Sequence, residues 1–326
     1  MAVADNSERL RSTMALVLLA CAPGLLTLLW LHGWGLLLNL LLCASAALAT
    51  EAALLKLQQR PSLPTLNDGS ALVTAVLLAA ALPVYAPWWL PMIAAFGAIA
   101  LGKQLYGGVG KNLFNPAMVG YALVLLSFAQ HMTQWPVTQV LDLADTLQQV
   151  FGLDLGNQPD AWAQATVLDG LRNNRSLTIN ELFANHPGFG QFGGRGSEAV
   201  NLAFLLGGLL LLQRKVISWH APVGLLASLF VISLVCWNGS GSDSNGSPLL
   251  HLLSGSTMLA AFFIVTEPVS GPKSPKAKLL FGVGAGLLIY LIRTWGSYPD
   301  GAAFAVLLMN LCVPALERWA ERGQTP

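Results

Sequence analysis

Charge is scarce in this chain. Asp, Glu, Lys and Arg make up 10% of its 326 residues, where an ordinary soluble domain carries about 25%. So few charges cannot cover a water-facing surface of normal polarity. Nor is there a basic excess: 17 Lys and Arg stand against 16 Asp and Glu, a formal net charge of +1. Without a positive field to neutralise phosphates, nucleic-acid binding is excluded. The four cysteines, Cys21, Cys43, Cys236 and Cys312, are scattered singly through apolar sequence. With no CxxC or ferredoxin-like spacing, no iron–sulfur cluster is built within this chain, and the cysteines read as small packing residues. The five histidines include no i, i+4 pair, which argues against a metal centre.

Apolar sequence is abundant. Hydrophobic residues reach 54% and the mean hydropathy is +0.59, which excludes a disordered chain and leaves a polytopic, all-α membrane protein. A spanning helix needs about 20 mostly apolar residues, because lipid leaves no backbone group a partner other than its own helix. Ten segments qualify, at approximately 13–31, 35–55, 70–84, 88–103, 113–129, 199–213, 218–237, 249–266, 278–295 and 300–317. The third is short and ends at Pro83, and the fourth is interrupted near its start by Pro91. Such segments either build a site from discontinuous helices or are ordinary helices with irregular ends.

Basic residues orient the spans. With the N-terminus inside and ten crossings, Arg9, Arg11, Lys56, Arg60, Lys103, Lys111, Arg214, Lys215, Lys273, Lys276, Lys278, Arg318 and Arg322 all fall on the cytoplasmic side. Only Arg172, Arg175, Arg195 and Arg293 fall outside, three of them in one long loop where the positive-inside rule has little force. Both termini are therefore expected in the cytoplasm. No signal peptide is expected, since the first apolar stretch has no small-residue cleavage site and leads straight into another span.

Three parts follow: a five-helix half over 1–129, an extracytoplasmic loop over 130–198, and a second five-helix half over 199–326. In the loop, Leu141, Leu143, Leu147 and Val150 are spaced for a short surface helix. The halves echo each other. Gly69-Ser70-Ala71-Leu72 opens a span that ends at Pro83, and Gly255-Ser256-Thr257-Met258 lies in one that ends at Pro268. Asn115-Pro116-Ala117 and Pro299-Asp300-Gly301-Ala302 start the fifth and tenth. Matching elements of opposite direction suggest an inverted 5+5 repeat, although small-residue and Pro patterns also arise by chance.

Gly107-Gly108-Val109-Gly110-Lys111 resembles a phosphate loop, but Leu105 stands where a Gly is needed and Asn112 where a Ser or Thr is needed, so ATP hydrolysis is rejected. The ionisable residues nearest the apolar segments are Glu51, Lys56, Glu267 and Asp300. Each is a functional candidate if buried and an ordinary helix-end residue if it reaches water.

Longer strings carry a family resemblance. The stretches Lys103–Met118, Leu253–Leu259 with Phe262–Val269, and Leu291–Gly296 with Tyr298–Ala305, together with Ala86-Pro87-Trp88-Trp89, resemble the RnfD/NqrB family, on its RnfD side, over nearly the whole chain. The resemblance implies a subunit of an ion-translocating electron transport complex (Rnf) in the bacterial inner membrane. It would be a redox carrier coupled to Na+ or H+ movement rather than a free-standing enzyme. Its partners would be other membrane and peripheral subunits of the complex, and a flavin transferase during maturation. It further implies FMN bound covalently, through its phosphate, to a threonine of the extracytoplasmic loop. Gln164-Ala165-Thr166-Val167-Leu168-Asp169 occupies the corresponding place, making Thr166 the acceptor with Asp169 beside it; Val167 replaces the Pro usual in the family. A second, non-covalent flavin such as riboflavin is implied within the bundle, with Gly107, Asn115 and Pro116 as candidate contacts. Helix capping explains Asn115 almost as well. From the residues alone, an inverted-repeat transporter or channel without redox chemistry, or a structural scaffold for partner subunits, remains open.

Overall fold

The computed structural model describes residues 2–136, 140–153, 163–164, 166–174, 176–186, 188–242, 244–298 and 300–322. Of the residues named above, Ala165, Arg175 and Pro299 lie outside them. Regular structure is helical, apart from two-residue strands at Trp135–Pro136 and Ala163–Gln164. The chain divides into two compact units, Met1–Ala163 and Gln164–Pro326. Among the described residues, four helices are long and apolar enough to cross a membrane: Glu8–His32, Trp34–Leu57, Pro275–Trp295 and Ala302–Arg322. Four shorter apolar helices accompany them, Ser70–Ala81, Pro116–Ser127, Ser197–Gln213 and His220–Val235. Large apolar side chains such as Trp30, Leu41, Leu206 and Val235 face outward. Water would penalise that arrangement and lipid does not; the protein is a membrane protein.

In the first unit, Gly33 (φ +54°) separates Ala2–His32 from Trp34–Leu57. The second of these packs against Ser70–Ala81 and Trp89–Ala100. Leu36, Leu55, Leu78, Leu90 and Ile99 form its buried core. Polar ties hold the loops: Asn39 Nδ2 donates to the Pro83 carbonyl at 3.1 Å, and the Tyr85 hydroxyl donates to the His32 carbonyl at 3.1 Å. Pro91 does not interrupt its helix. It lies in the first turn of Trp89–Ala100, where a missing N–H removes no helical bond. The spacing of Leu143, Leu147 and Val150 does give a helix, Leu143–Phe151, capped by Asp142, whose carboxylate accepts from the Asp145 N–H at 2.7 Å.

In the second unit the segment expected as one span over 249–266 is broken. It comprises Pro248–Leu253, then Gly255 in the left-handed region (φ +61°), then Thr257–Leu259 continuing as a π-helical turn, Ala260–Ile264. Only glycine adopts that φ without cost. Here a Cβ would also stand 2.7 Å from Asp300 Oδ2.

The most extensive helix pair joins His220–Val235 to Pro275–Trp295. Their backbones approach through Gly282 and Gly286, four residues apart, as small residues permit in membrane helices. A Cβ on Gly282 would lie 2.2 Å from the Ala221 carbonyl oxygen, and one on Gly286 2.4 Å from that of Leu225. Gly282→Leu is therefore expected to push the two helices apart, costing roughly 1–3 kcal/mol. Thermal unfolding of the purified protein in detergent measures this, and an unchanged midpoint would mean that the helices do not pack so closely.

Candidate functional site

Thr166 stands immediately before the Val167–Asn173 helix and caps it, with extended backbone (φ −67°, ψ 163°). Its Oγ1 accepts from the Asp169 N–H at 3.2 Å while its own O–H donates to Asp169 Oδ2 at 2.8 Å. The N-cap half of a capping box is present, but the carboxylate takes the threonine hydroxyl in place of its backbone N–H. The helix is anchored because Val167 and Leu168 are buried with Leu182, Phe189 and Leu250, against which Leu171, Ile179 and Phe183 pack. Thr166 itself stays half-buried at the edge of this cluster, while Asp169 is buried. One turn further on, an Arg172 Nη2 lies 3.8 Å from Asp169 Oδ1. Hydroxyl, carboxylate and guanidinium thus run along one face at i, i+3 and i+6.

The same loop contains a useful contrast. Thr178 caps Ile179–Asn185 through a complete capping box with Glu181, its hydroxyl donating to Oε2 at 2.8 Å. The Thr178 backbone N–H, aided by its hydroxyl, holds the Glu181 carboxyl below its ordinary value. That pair is exposed and its carboxylate faces water. What distinguishes Thr166 is the buried acid with a cation beside it.

Gly107, Asn115 and Pro116 lie in the other unit. Gly107 (φ +101°) ends the short 3-10 turn Gln104–Tyr106, and its carbonyl accepts from Arg60 Nη1 at 2.8 Å. Asn115 caps Pro116–Ser127, its Oδ1 accepting from the Met118 N–H at 3.2 Å, and Pro116 occupies the first helical position. These local contacts are those of a helix start.

Two buried charge clusters stand out among the described residues. In the first unit Glu51 is fully buried, so it does not escape to water at a helix end. Its Oε1 pairs with Lys103 Nζ at 2.5 Å and accepts from Gln104 Nε2 at 2.8 Å. Lys103 also donates to Ser70 Oγ at 2.7 Å, and Ser70 in turn bonds Asp68. In the second unit Arg293, 3% exposed, donates to the carbonyls of His251 (2.7 Å) and Ser254 (3.3 Å), to Thr257 Oγ1 (2.9 Å) and to Asp300 Oδ1 (3.0 Å). Asp300 Oδ2 takes both the N–H and the hydroxyl of Ser256, at 2.8 and 2.6 Å. The sequence carries a signal for each: Arg293 lies inside an apolar run with Asp300 seven residues later, and Lys103 opens the Lys103–Met118 string.

Comparison with known proteins fixes the family. The family model described as the NQR2, RnfD, RnfE family matches residues 2–325. A protein of Pseudomonas aeruginosa, named as the D subunit of an ion-translocating oxidoreductase complex, is 59% identical, with 98% of this chain and 96% of the relative covered. Proteins of the same name from Cellvibrio japonicus and Aeromonas salmonicida are 47% and 44% identical, covering 96% of this chain and 90% and 94% of the respective relatives. Agreement along the whole length means that the chain belongs to the NQR2, RnfD, RnfE family.

Proposed function

We propose that this chain is the D subunit of an ion-translocating oxidoreductase complex in the bacterial inner membrane. It carries FMN as a phosphoester on Thr166 and couples electron flow to movement of Na+ or H+. It works among the other subunits of that complex and depends on a separate flavin transferase for its loading. The reading includes ten crossings with both termini cytoplasmic, five in 1–129 and five in 199–326, with the flavin-bearing loop 130–198 on the periplasmic side.

The arrangement of Thr166 carries the reading. Its hydroxyl is half-exposed, within reach of an external transferase, yet fixed by the helix it caps. A phosphoester there replaces the O–H donated to Asp169, and Oγ1 keeps the N–H it accepts from Asp169. The added negative charge faces Asp169, and Arg172 stands against that carboxylate at 3.8 Å, offsetting the repulsion. A bound flavin supplies one-electron chemistry, and the chain supplies binding, orientation and tuning. Moving one charge against 100 mV takes about 2.3 kcal/mol, within reach of a modest redox drop.

The inverted repeat has support inside each unit. Gly69 (φ +81°) and Gly255 (φ +61°) each precede a serine that opens a short helix. In each, a carboxylate holds that serine, Asp68 or Asp300, and a buried cation close to the end of a later apolar helix, Lys103 or Arg293, secures the same turn.

Thr166→Ala is expected to abolish in-gel flavin fluorescence, and mass spectrometry of the wild-type peptide spanning Thr166 to show the added FMN mass. Covalent fluorescence persisting in the variant would eliminate Thr166 as the attachment point. A colourless wild-type protein would favour a transporter without redox chemistry.

A further inference from the structure

A cavity of about 180 Å³ opens beside the Val167–Asn173 helix, lined by Leu168, Leu171 and Arg172 from that helix and by Ser244, His251 and Thr294 from other parts of the same unit. Among the described residues, three of this lining carry a buried polar atom without a hydrogen-bond partner, Arg172 Nη1, His251 Nδ1 and Thr294 Oγ1. The histidine is 1% exposed, and its Nε2 lies 2.8 Å from the Asn245 carbonyl. A carbonyl only accepts, so Nε2 carries the hydrogen and Nδ1 of the neutral ring is a bare acceptor. Arg172 Nη1 can only donate. Unpaired buried groups of this kind are costly; the arginine calls for an acceptor oxygen, the histidine for an N–H or O–H donor, and the Thr294 hydroxyl serves as either.

An imide edge offers both, a ring carbonyl next to a ring N–H. Flavins present that edge on their pyrimidinedione ring. At about 180 Å³ and open at its mouth, the cavity has room for a six-membered ring with its carbonyl oxygens. Reach is also compatible. Arg172 lies six residues beyond Thr166, about 9 Å along a helix, a distance that a ribityl phosphate chain spans.

We propose that this cavity receives the pyrimidinedione edge of the flavin tethered at Thr166, with Arg172 donating to a ring carbonyl and His251 accepting from the ring N–H. This rests on the assignment of Thr166 as the attachment point. The consequence concerns redox tuning. A guanidinium against the ring in a buried setting favours its reduced, anionic form over the neutral oxidised one, which raises the reduction potential. Asp169, 3.8 Å from Arg172, tempers that effect.

The test is spectroelectrochemical titration of the purified, flavinylated full chain, wild type against Arg172→Gln and Arg172→Lys. The glutamine variant is expected to keep its covalent flavin and to lower the potential by at least a tenfold change in the equilibrium, 59 mV for a one-electron couple. The lysine variant, which keeps the charge, is expected to lower it less. A second measurement needs no variant: iodide should quench the fluorescence of the wild-type flavin much less than that of free FMN. A flavinylated Arg172→Gln chain with unchanged potential, or a wild-type flavin as open to iodide as free FMN, overturns the proposal and leaves the cavity to water. A wild-type chain without covalent flavin overturns the Thr166 assignment as well, and shows it before any potential is read.

Discussion

Arg293→Met is expected to be among the most destabilising single substitutions in this protein, at about 3–5 kcal/mol. The guanidinium ties together a turn that is otherwise held by Thr257 and Asn201. Between Leu253 and Thr257 the chain leaves helical geometry through Gly255, so the carbonyls of His251 and Ser254 lose the partners that a continuous helix would give them. Arg293 donates to both, and also to Thr257 and Asp300. Methionine fills similar space, but it leaves those two carbonyls to share the single Thr257 hydroxyl as donor and leaves Asp300 without its counter-charge. Lysine in the same place is expected to recover only part of the loss, because one ammonium cannot reproduce a planar fork of donors. Thermal or denaturant unfolding of the purified protein in detergent measures both variants. The double variant Arg293→Met/Asp300→Leu separates the causes. If the uncompensated carboxylate dominates, removing it restores part of the lost stability. If the double variant is no better than the single one, the lost guanidinium–carbonyl bonds dominate.

Lys103→Met in the first unit is expected to cost a comparable amount, about 3–5 kcal/mol, for a different reason. Lys103 and Glu51 are 2% and 0% exposed, and the ion pair between them is the direct compensation for two charges removed from water. With the lysine gone, Glu51 keeps only the Gln104 amide as donor. Its second oxygen already lacks a partner, as does Oε1 of Gln104, so the carboxylate has little in reserve. The change also strips Ser70 of the ammonium at the start of Ser70–Ala81. Glu51→Met/Lys103→Met is expected to be more stable than Lys103→Met alone, since apolar replacement of a whole buried pair is often neutral. Unfolding midpoints of the two variants check this. A single variant as stable as wild type would mean that water reaches Glu51.

Several elements were legible because their causes are local. Asn115 followed by Pro116 reads as a helix start in any context: a short side chain reaches the free N–H of Met118, and proline has no N–H to lose. The spacing of Leu143, Leu147 and Val150 gave away the helix Leu143–Phe151 for the same reason. The Thr166–Asp169 pair is likewise a three-residue relation. Pro91 reads as an interruption in a segment starting at 88, whereas the helix starts at Trp89 and holds the proline in its first turn. The break at Gly255 was only half visible. Gly-Ser-Thr can sit inside a membrane helix, and what forces the left-handed glycine here is the fit around Arg293 and Asp300.

Composition alone determined that this protein lives in lipid, because 54% apolar and 10% charged residues leave no water-soluble arrangement, and hydrophobic burial depends on amounts before it depends on order. Which of the few charges are buried together was decided only by the tertiary structure. Glu51 and Lys103 are 52 positions apart, and the His251 backbone carbonyl that the buried Arg293 binds is 42 positions from it. Such pairs arise where helices from distant parts of the chain cross, and a charge can enter the interior only where that crossing delivers its partner.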